Sequence, residues 1–158
     1  MIIDIYSLDI DKLYASTNLS SHMEDYIEAI AVLSQHNKVV RVKDIAALLK
    51  IKMPSVTAAL DKLKELGLID YEKYGYIELT ESGNIISDRV ISKHLCLKEF
   101  FSKILNLSEE QAEAEACKIE HHITPETCKR IHKLLVYINT KESIKEEWLE
   151  FLSGGGLL

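Results

Sequence analysis

The stretch VKDIAALLKIKMPSVTAALDKLKELGLIDYEKYGYIEL, residues 42–79, decides the fold of this chain. Its first part repeats apolar residues at helical spacing, and a second helix opens at Pro54, which suits a first helical turn because its missing amide hydrogen would be unpaired there. Gly67 is predicted to end this helix, after which the apolar period changes to two on either side of a turn at residues 73–75. Helices followed by such a hairpin indicate a winged helix-turn-helix.

The sequence on both sides of this stretch predicts further helices. A first helix is expected to begin at Ser21, with Ser21 as its N-cap and Glu24 reaching back to the Ser21 amide. After the hairpin the chain is predicted to be wholly helical, with helices opened by Thr80, Ser108 and Thr124-Pro125 and a last one around Trp148. The helix that Ser108 opens, with Gln111 completing a capping box, is predicted to run to about His122. We therefore expect a mainly α protein with an N-terminal extension (1–22), a winged helix-turn-helix domain (23–80), an all-helical domain (81–152) and a flexible tail (153–158).

Length and composition exclude several classes of protein. The chain has 158 residues, a length too short for a multidomain enzyme. Its residues are 47% apolar and 28% charged, a composition that is ordinary for a globular domain. Its three cysteines include no CxxC pair and form no disulfide framework, so we expect a reducing, cytoplasmic environment. Aspartates interrupt the apolar N-terminus, and no membrane span is predicted.

Positive charge is concentrated in one segment, although the net charge is −6. Residues 50–64 carry four lysines against one aspartate, which is typical of a DNA recognition helix. The alternative is a solvated helix face of the kind found in many proteins. In a helix-turn-helix protein the start of the second helix enters the major groove. The candidate DNA contacts are Lys52, Pro54, Ser55, Thr57 and Lys62.

Two groups of residues at helical spacing could bind a metal ion. Asp25 and Glu28 are three residues apart, and Cys117, Glu120 and His121 combine a thiolate, a carboxylate and an imidazole on one helix face. The alternatives are solvent-exposed acids and a small core cysteine. The spacing alone leaves both interpretations open.

From Met23 to about Ile138 the chain resembles the diphtheria-toxin-repressor (DtxR/MntR) family of metal-dependent regulators. The segments that carry the resemblance are Met23-Glu24-Asp25-Tyr26-Ile27-Glu28-Ala29-Ile30, Val42-Lys43-Asp44-Ile45-Ala46, Pro54-Ser55-Val56-Thr57, Tyr71-Glu72-Lys73-Tyr74, Leu79-Thr80-Glu81-Ser82-Gly83 and Ile119-Glu120-His121-His122. The resemblance implies a winged-helix DNA-binding part, a helical dimerisation part and metal ligands from both.

Carried over by position, the resemblance implies a defined set of metal ligands: Asp25, Glu28, His94, Cys117, Glu120 and His121, with His122 as a weaker candidate. Asp25 is typical of the manganese-responsive branch of the family and Cys117 of the iron-responsive branch. Because a thiolate favours softer ions, we expect iron(II) ahead of manganese(II), with zinc, cobalt or nickel also able to bind in vitro. In the wing, Lys73 is the remaining basic candidate for DNA contact.

These expectations define a homodimeric repressor that binds a palindromic operator in double-stranded DNA when iron(II) or manganese(II) is bound. The apolar surface of the helical half exceeds what a small bundle can bury, which favours a homodimer. No phosphate loop, nucleophile elbow or paired Glu-x-x-His motif is present, so we do not expect an enzyme. The alternative is a metal-independent winged-helix dimer that senses a small molecule or thiol oxidation at Cys117.

Overall fold

The computed structural model describes residues 10, 14, 17–72 and 75–155, which belong to two compact units. The first unit comprises Thr17–Ile91, and the second comprises residues from Ser92 onward together with Ile10 and Tyr14. Along the chain, the boundary between the two units falls within a helix, after Ile91. The sequence-based division into 23–80 and 81–152 stays a prediction.

The first unit is a winged helix-turn-helix. Its elements are α1 (Ser21–His36), α2 (Val42–Leu49), α3 (Met53–Glu65), β1 (Ile69–Tyr71), β2 (Ile77–Leu79) and the first part of α4 (Glu81–Glu99). Strands β1 and β2 pair antiparallel, with Ile69 opposite Leu79. The Ile77 amide also donates to the Val40 carbonyl at 3.0 Å, so the wing is tied to the segment before α2.

The core of this unit follows from helical spacing. In α3, Val56, Leu60 and Leu63 recur every three or four residues and are fully buried, as Ile27 and Ile30 are in α1. Gly67 has φ +70°, a left-handed conformation that glycine adopts without a steric penalty. The predicted end of α3 at Gly67 is confirmed.

The predicted cap of α1 is wrong. The N-cap is Ser20, one residue earlier than expected, and its side chain makes no capping hydrogen bond. Glu24 is 6% exposed and accepts a hydrogen bond from the Thr17 hydroxyl. A buried carboxylate needs a donor, and the preceding turn supplies one.

Thr80 caps α4 as predicted, and its neighbourhood leaves no room for a side chain at Gly83. The Thr80 hydroxyl accepts from the Gly83 amide at 3.1 Å and donates to the Gly67 carbonyl at 2.8 Å. A Cβ on Gly83 would lie 2.0 Å from the Leu68 carbonyl oxygen.

We expect Gly83→Ala to destabilise the first unit by about 3 kcal/mol, because the backbone of Leu68 must move to relieve this overlap. Denaturant unfolding followed by circular dichroism measures the change. Gly67→Ala is the control, because a Cβ at residue 67 would have no atom within 4 Å. The left-handed backbone conformation alone should destabilise this variant, by about 1 kcal/mol. Equal losses in the two variants would contradict the steric explanation.

The second unit is wholly helical among its described residues. It contains α4 from Ser92, a π-helical turn (Phe100–Ile104), α5 (Glu109–Ile119), α6 (Pro125–Asn139), α7 (Glu142–Glu150) and a second π-helical turn (Phe151–Gly155). The predicted capping box of Ser108 with Gln111 is confirmed, and so is the cap at Thr124, whose hydroxyl accepts from the Thr127 amide at 3.2 Å.

The N-terminal extension contributes a residue to the core of the second unit. Tyr14 is 3% exposed and packs in a cluster with Cys96, Cys128 and Leu135. Its hydroxyl lies 3.0 Å from Nδ1 of His132, which is also buried. No role was predicted for this extension, and Tyr14 is a core residue of the second unit.

Candidate metal centre and nucleic-acid interface

The start of α3 presents the predicted DNA contacts to solvent. Lys52, Pro54 and Ser55 are exposed, whereas Thr57 is half-buried and donates its hydroxyl hydrogen to the Met53 carbonyl at 3.2 Å. Lys62, also exposed, lies farther along α3. Lys73 lies outside the described residues. An exposed helix start with lysine and hydroxyl side chains can contact both phosphates and base edges.

Arg41, which was not among the predicted DNA contacts, also belongs to this surface. The Arg41 guanidinium lies over the Tyr76 ring at 5.3 Å, a cation–π contact that joins the start of α2 to the wing. A cleft of about 470 Å³ is lined by Arg41, Lys43, Met53, Thr57 and Gly75, among others. The signal was in the sequence, because residues 41–64 contain six basic and two acidic side chains.

In the second unit, His94 and Glu120 come together although they are 26 residues apart. His94 Nδ1 lies 2.7 Å from Glu120 Oε2, and the two residues are 8% and 4% exposed. His121 Nε2 lies 3.4 Å from the other Glu120 oxygen. Three of the predicted ligands therefore form one largely buried cluster of nitrogen and oxygen donors.

Glu120 and His121 lie just beyond α5 and not within it. The helix ends at Ile119, earlier than the end near His122 that the sequence predicted. Glu120 keeps helical dihedral angles and its amide donates to the Ala116 carbonyl at 3.0 Å. The three-residue spacing from Cys117 to Glu120 thus retains its helical geometry.

Cys117 belongs to a second group of donors that includes Glu113, a residue the sequence analysis missed. One donor atom each of His94, Glu113 and Cys117 lies within 4.8 Å of the other two. Glu113 Oε1 is 3.1 Å from His94 Nε2. The sequence signal for Glu113 was its position one helical turn before Cys117.

Cys117 is exposed, whereas Cys96 and Cys128 are buried. Burial raises the pKa of Cys96 to about 11 and the pKa of Cys128 to about 12, so neither is a thiolate at neutral pH. Metal ligation requires a thiolate, and Cys117 is accordingly the cysteine suited to it.

The remaining predicted ligands lie in the first unit and on the surface of the second. Asp25 and Glu28 are half-exposed residues of α1, and Asp25 lies 3.8 Å from the His22 ring. His122 is exposed in the turn after α5. The assignment of Asp25 and Glu28 as ligands rests on the family resemblance.

The donor chemistry of the second unit fits a divalent transition metal. Imidazole nitrogen and thiolate sulfur suit iron, cobalt, nickel and zinc, and carboxylate oxygen also suits manganese. Both ring nitrogens of His94 contact carboxylates, Nδ1 that of Glu120 and Nε2 that of Glu113. A metal ion could take the place of the proton that an imidazole nitrogen shares with a carboxylate. A winged helix with a basic face and a helical unit with these donors define a metal-binding, DNA-binding regulator.

Comparison with known protein families agrees with this class. Residues 18–77 match the family described as iron dependent repressor, N-terminal DNA binding domain, and residues 80–149 match iron dependent repressor, metal binding and dimerisation domain. The chain is 37% identical over 114 residues to an uncharacterized HTH-type transcriptional regulator of Methanocaldococcus jannaschii, covering 72% of this chain and 91% of that protein. It is 34% identical over 125 residues to the HTH-type transcriptional regulator MntR of Bacillus subtilis, covering 79% and 87%.

Solved structures with the same fold include the manganese regulator SloR, with a TM-score of 0.63 and 28% identity over 73% of this chain and 54% of SloR. IdeR of T. acidophilum has a TM-score of 0.64 and 26% identity over 75% of this chain and 55% of IdeR. The chain thus spans about half the length of these two structures. The chain belongs to the iron-dependent repressor (DtxR/MntR) family and is a metal-dependent DNA-binding transcriptional regulator.

Among the described residues, no helix has both the length and the apolar character that a membrane span requires.

Proposed function

We propose that the chain is a homodimeric repressor of metal-homeostasis genes and that iron(II) or manganese(II) is its co-repressor. The observation that carries this proposal is the buried Glu120 carboxylate between His94 and His121. A buried carboxylate flanked by imidazoles binds a cation well. The proposed ligands are Asp25, Glu28, His94, Cys117, Glu120 and His121.

The identity of the ion follows from the donors. Cys117 favours the softer iron(II), and Asp25 and Glu28 supply oxygen donors that manganese(II) accepts equally well. Relatives with names that refer to manganese or iron support the same two ions. Zinc, cobalt and nickel are expected to bind in vitro.

Metal binding is expected to couple to DNA binding because both parts of the chain contribute proposed ligands. An ion offsets the negative charges of Asp25, Glu28 and Glu120, and its binding free energy is then available to favour one arrangement of the winged helix. In that arrangement the start of α3 reads the major groove and the wing lies along the phosphates. The proposed contacts are Lys52, Pro54, Ser55, Thr57, Lys62 and Lys73, to which Arg41 is added.

A homodimer on a palindromic operator is proposed from the second unit. Leu134 and Tyr137 on α6 are 42% and 52% exposed. An exposed apolar surface on a unit that matches a dimerisation domain is suited to a two-fold interface. Two-fold symmetry would present two α3 helices to two half-sites.

The test is DNA binding across a panel of divalent ions. DNA selected from a random pool by the protein with manganese(II) provides the probe, and fluorescence anisotropy measures its affinity with anaerobic iron(II), manganese(II), zinc(II) or a chelator. We expect affinity to rise by about fivefold to 150-fold with the cognate ion. Equal affinity with every ion and with the chelator would contradict the proposal and favour a metal-independent regulator.

We expect Lys52→Ala to weaken DNA binding and to reduce the salt dependence of the affinity by about one counterion, because one phosphate contact is lost. Anisotropy titrations at several salt concentrations measure the slope. Lys118→Ala is the control, since Lys118 is exposed on α5 of the second unit and pairs with Glu115 at 2.9 Å. An unchanged slope for Lys52→Ala would remove Lys52 from the interface.

A further inference from the structure

Lys98 lies one helical turn after His94 on α4, with its ammonium group beside the donor group of His94, Glu113 and Cys117. Lys98 Nζ is 2.9 Å from Glu113 Oε2 and 3.5 Å from Glu109 Oε2. The other Glu113 oxygen is 3.1 Å from His94 Nε2. Glu113 is therefore shared between an imidazole and an ammonium group.

The three donors beside Lys98 have the composition of a metal site. They offer one nitrogen, one oxygen and one sulfur atom within 4.8 Å of each other, a separation that small side-chain rotations would bring into the range of a shared ion. An ion on Glu113 would stand close to the ammonium group of Lys98. The two cations would repel one another and compete for the same carboxylate.

The charges of Lys98 and Glu113 agree with this competition. The hydrogen bond to Glu113 raises the pKa of Lys98 despite partial burial. The ammonium group of Lys98 lies 2.9 Å from Glu113 Oε2, so the negative charge of the carboxylate is already offset by a cation that belongs to the chain.

We propose that Lys98 is an internal cation that holds Glu113 and thereby keeps the His94–Glu113–Cys117 group from taking up a divalent metal ion of its own. The inference rests on the proposed function, because it assumes that the chain binds a divalent ion through the Glu120 cluster. It adds that Lys98 limits the number of ions per subunit and leaves His94 to bind the ion of the Glu120 cluster.

The experiment is a calorimetric titration of the full chain with cobalt(II) under anaerobic, reducing conditions. Lys98→Met keeps an unbranched apolar side chain, one atom shorter, and removes the ammonium group. We expect this variant to bind one more cobalt(II) per subunit than the wild type, or to bind cobalt(II) at least about tenfold more tightly. Lys98→Arg retains a cation and should behave as the wild type. Circular dichroism checks that each variant is folded.

Two further variants identify the site. Lys118→Met is the matched control, because Lys118 also pairs with a glutamate at 2.9 Å but lies outside the donor group; it should leave cobalt(II) binding unchanged. Adding Glu113→Gln to Lys98→Met should reverse the gain. A Lys98→Met protein with wild-type stoichiometry and affinity would overturn the role of Lys98 while leaving the proposed function intact. Absence of cobalt(II) binding in the wild type and in every variant would overturn both.

Discussion

Replacing Glu120 by glutamine is expected to abolish the rise in DNA affinity that manganese(II) or iron(II) produces. Glu120 is 4% exposed and lies 2.7 Å from His94 and 3.4 Å from His121, so its carboxylate is central to the proposed ligands of the second unit. Glutamine has the same shape but carries no charge, and its amide oxygen is a weak ligand. The whole coupling, about 1 to 3 kcal/mol, should be lost.

Anisotropy titrations with selected DNA, each with and without the ion, measure this loss. Glu115→Gln is the matched control, because Glu115 is a carboxylate of α5, the helix that ends just before Glu120, and it pairs with the exposed Lys118. Size-exclusion chromatography establishes that the Glu120 variant keeps its oligomeric state. A full metal response in Glu120→Gln would refute its role as a ligand.

Replacing Tyr14 by alanine is expected to destabilise the second unit by about 4 kcal/mol. The Tyr14 ring packs among Cys96, Cys128 and Leu135. Its removal leaves a cavity, because the surrounding helices pack against one another and cannot move to fill it. Burial lowers the pKa of His132, which keeps its imidazole neutral and Nδ1 able to accept from the Tyr14 hydroxyl. Tyr14→Phe keeps the ring and loses this hydrogen bond, at a cost of about 1 kcal/mol.

Trp148 makes this prediction easy to measure. It is the one tryptophan of the chain, and its indole NH donates to the Ile104 carbonyl, so its fluorescence reports unfolding of the second unit. Tyr76→Ala is the control, because Tyr76 is 53% exposed and belongs to the first unit. Equal midpoints of urea unfolding for Tyr14→Ala and the wild type would show that the extension contributes nothing to this core.

Much of the first unit could be predicted from the sequence, because its elements depend on local signals. Apolar residues at helical spacing, the left-handed Gly67 and the change of period around the wing mark the elements in order along the chain. Arg41 was missed because its contact with Tyr76 joins residues 35 positions apart and has no periodic signal.

The candidate metal centre could be predicted in part. Helical spacing relates Cys117 to Glu120 and would have related Glu113 to Cys117. It does not relate His94 to Glu120, because these residues lie on different elements and meet only when α4 packs beside the turn after α5. The end of α5 at Ile119 was also missed, since helix ends depend on the contacts of the following turn.

The sequence by itself determined the winged helix-turn-helix, the helical second half, the capping residues Ser108 and Thr124 and the residue types of a metal-responsive regulator. These properties depend on interactions within one or two helical turns, which the order of residues specifies directly. Only the tertiary structure decided that His94 contacts both Glu113 and Glu120, that Lys98 holds Glu113, and that Tyr14 packs against His132, 118 residues away. Such contacts depend on how separate elements pack. Side chains far apart in sequence meet only where the apolar faces of their two helices are buried against each other.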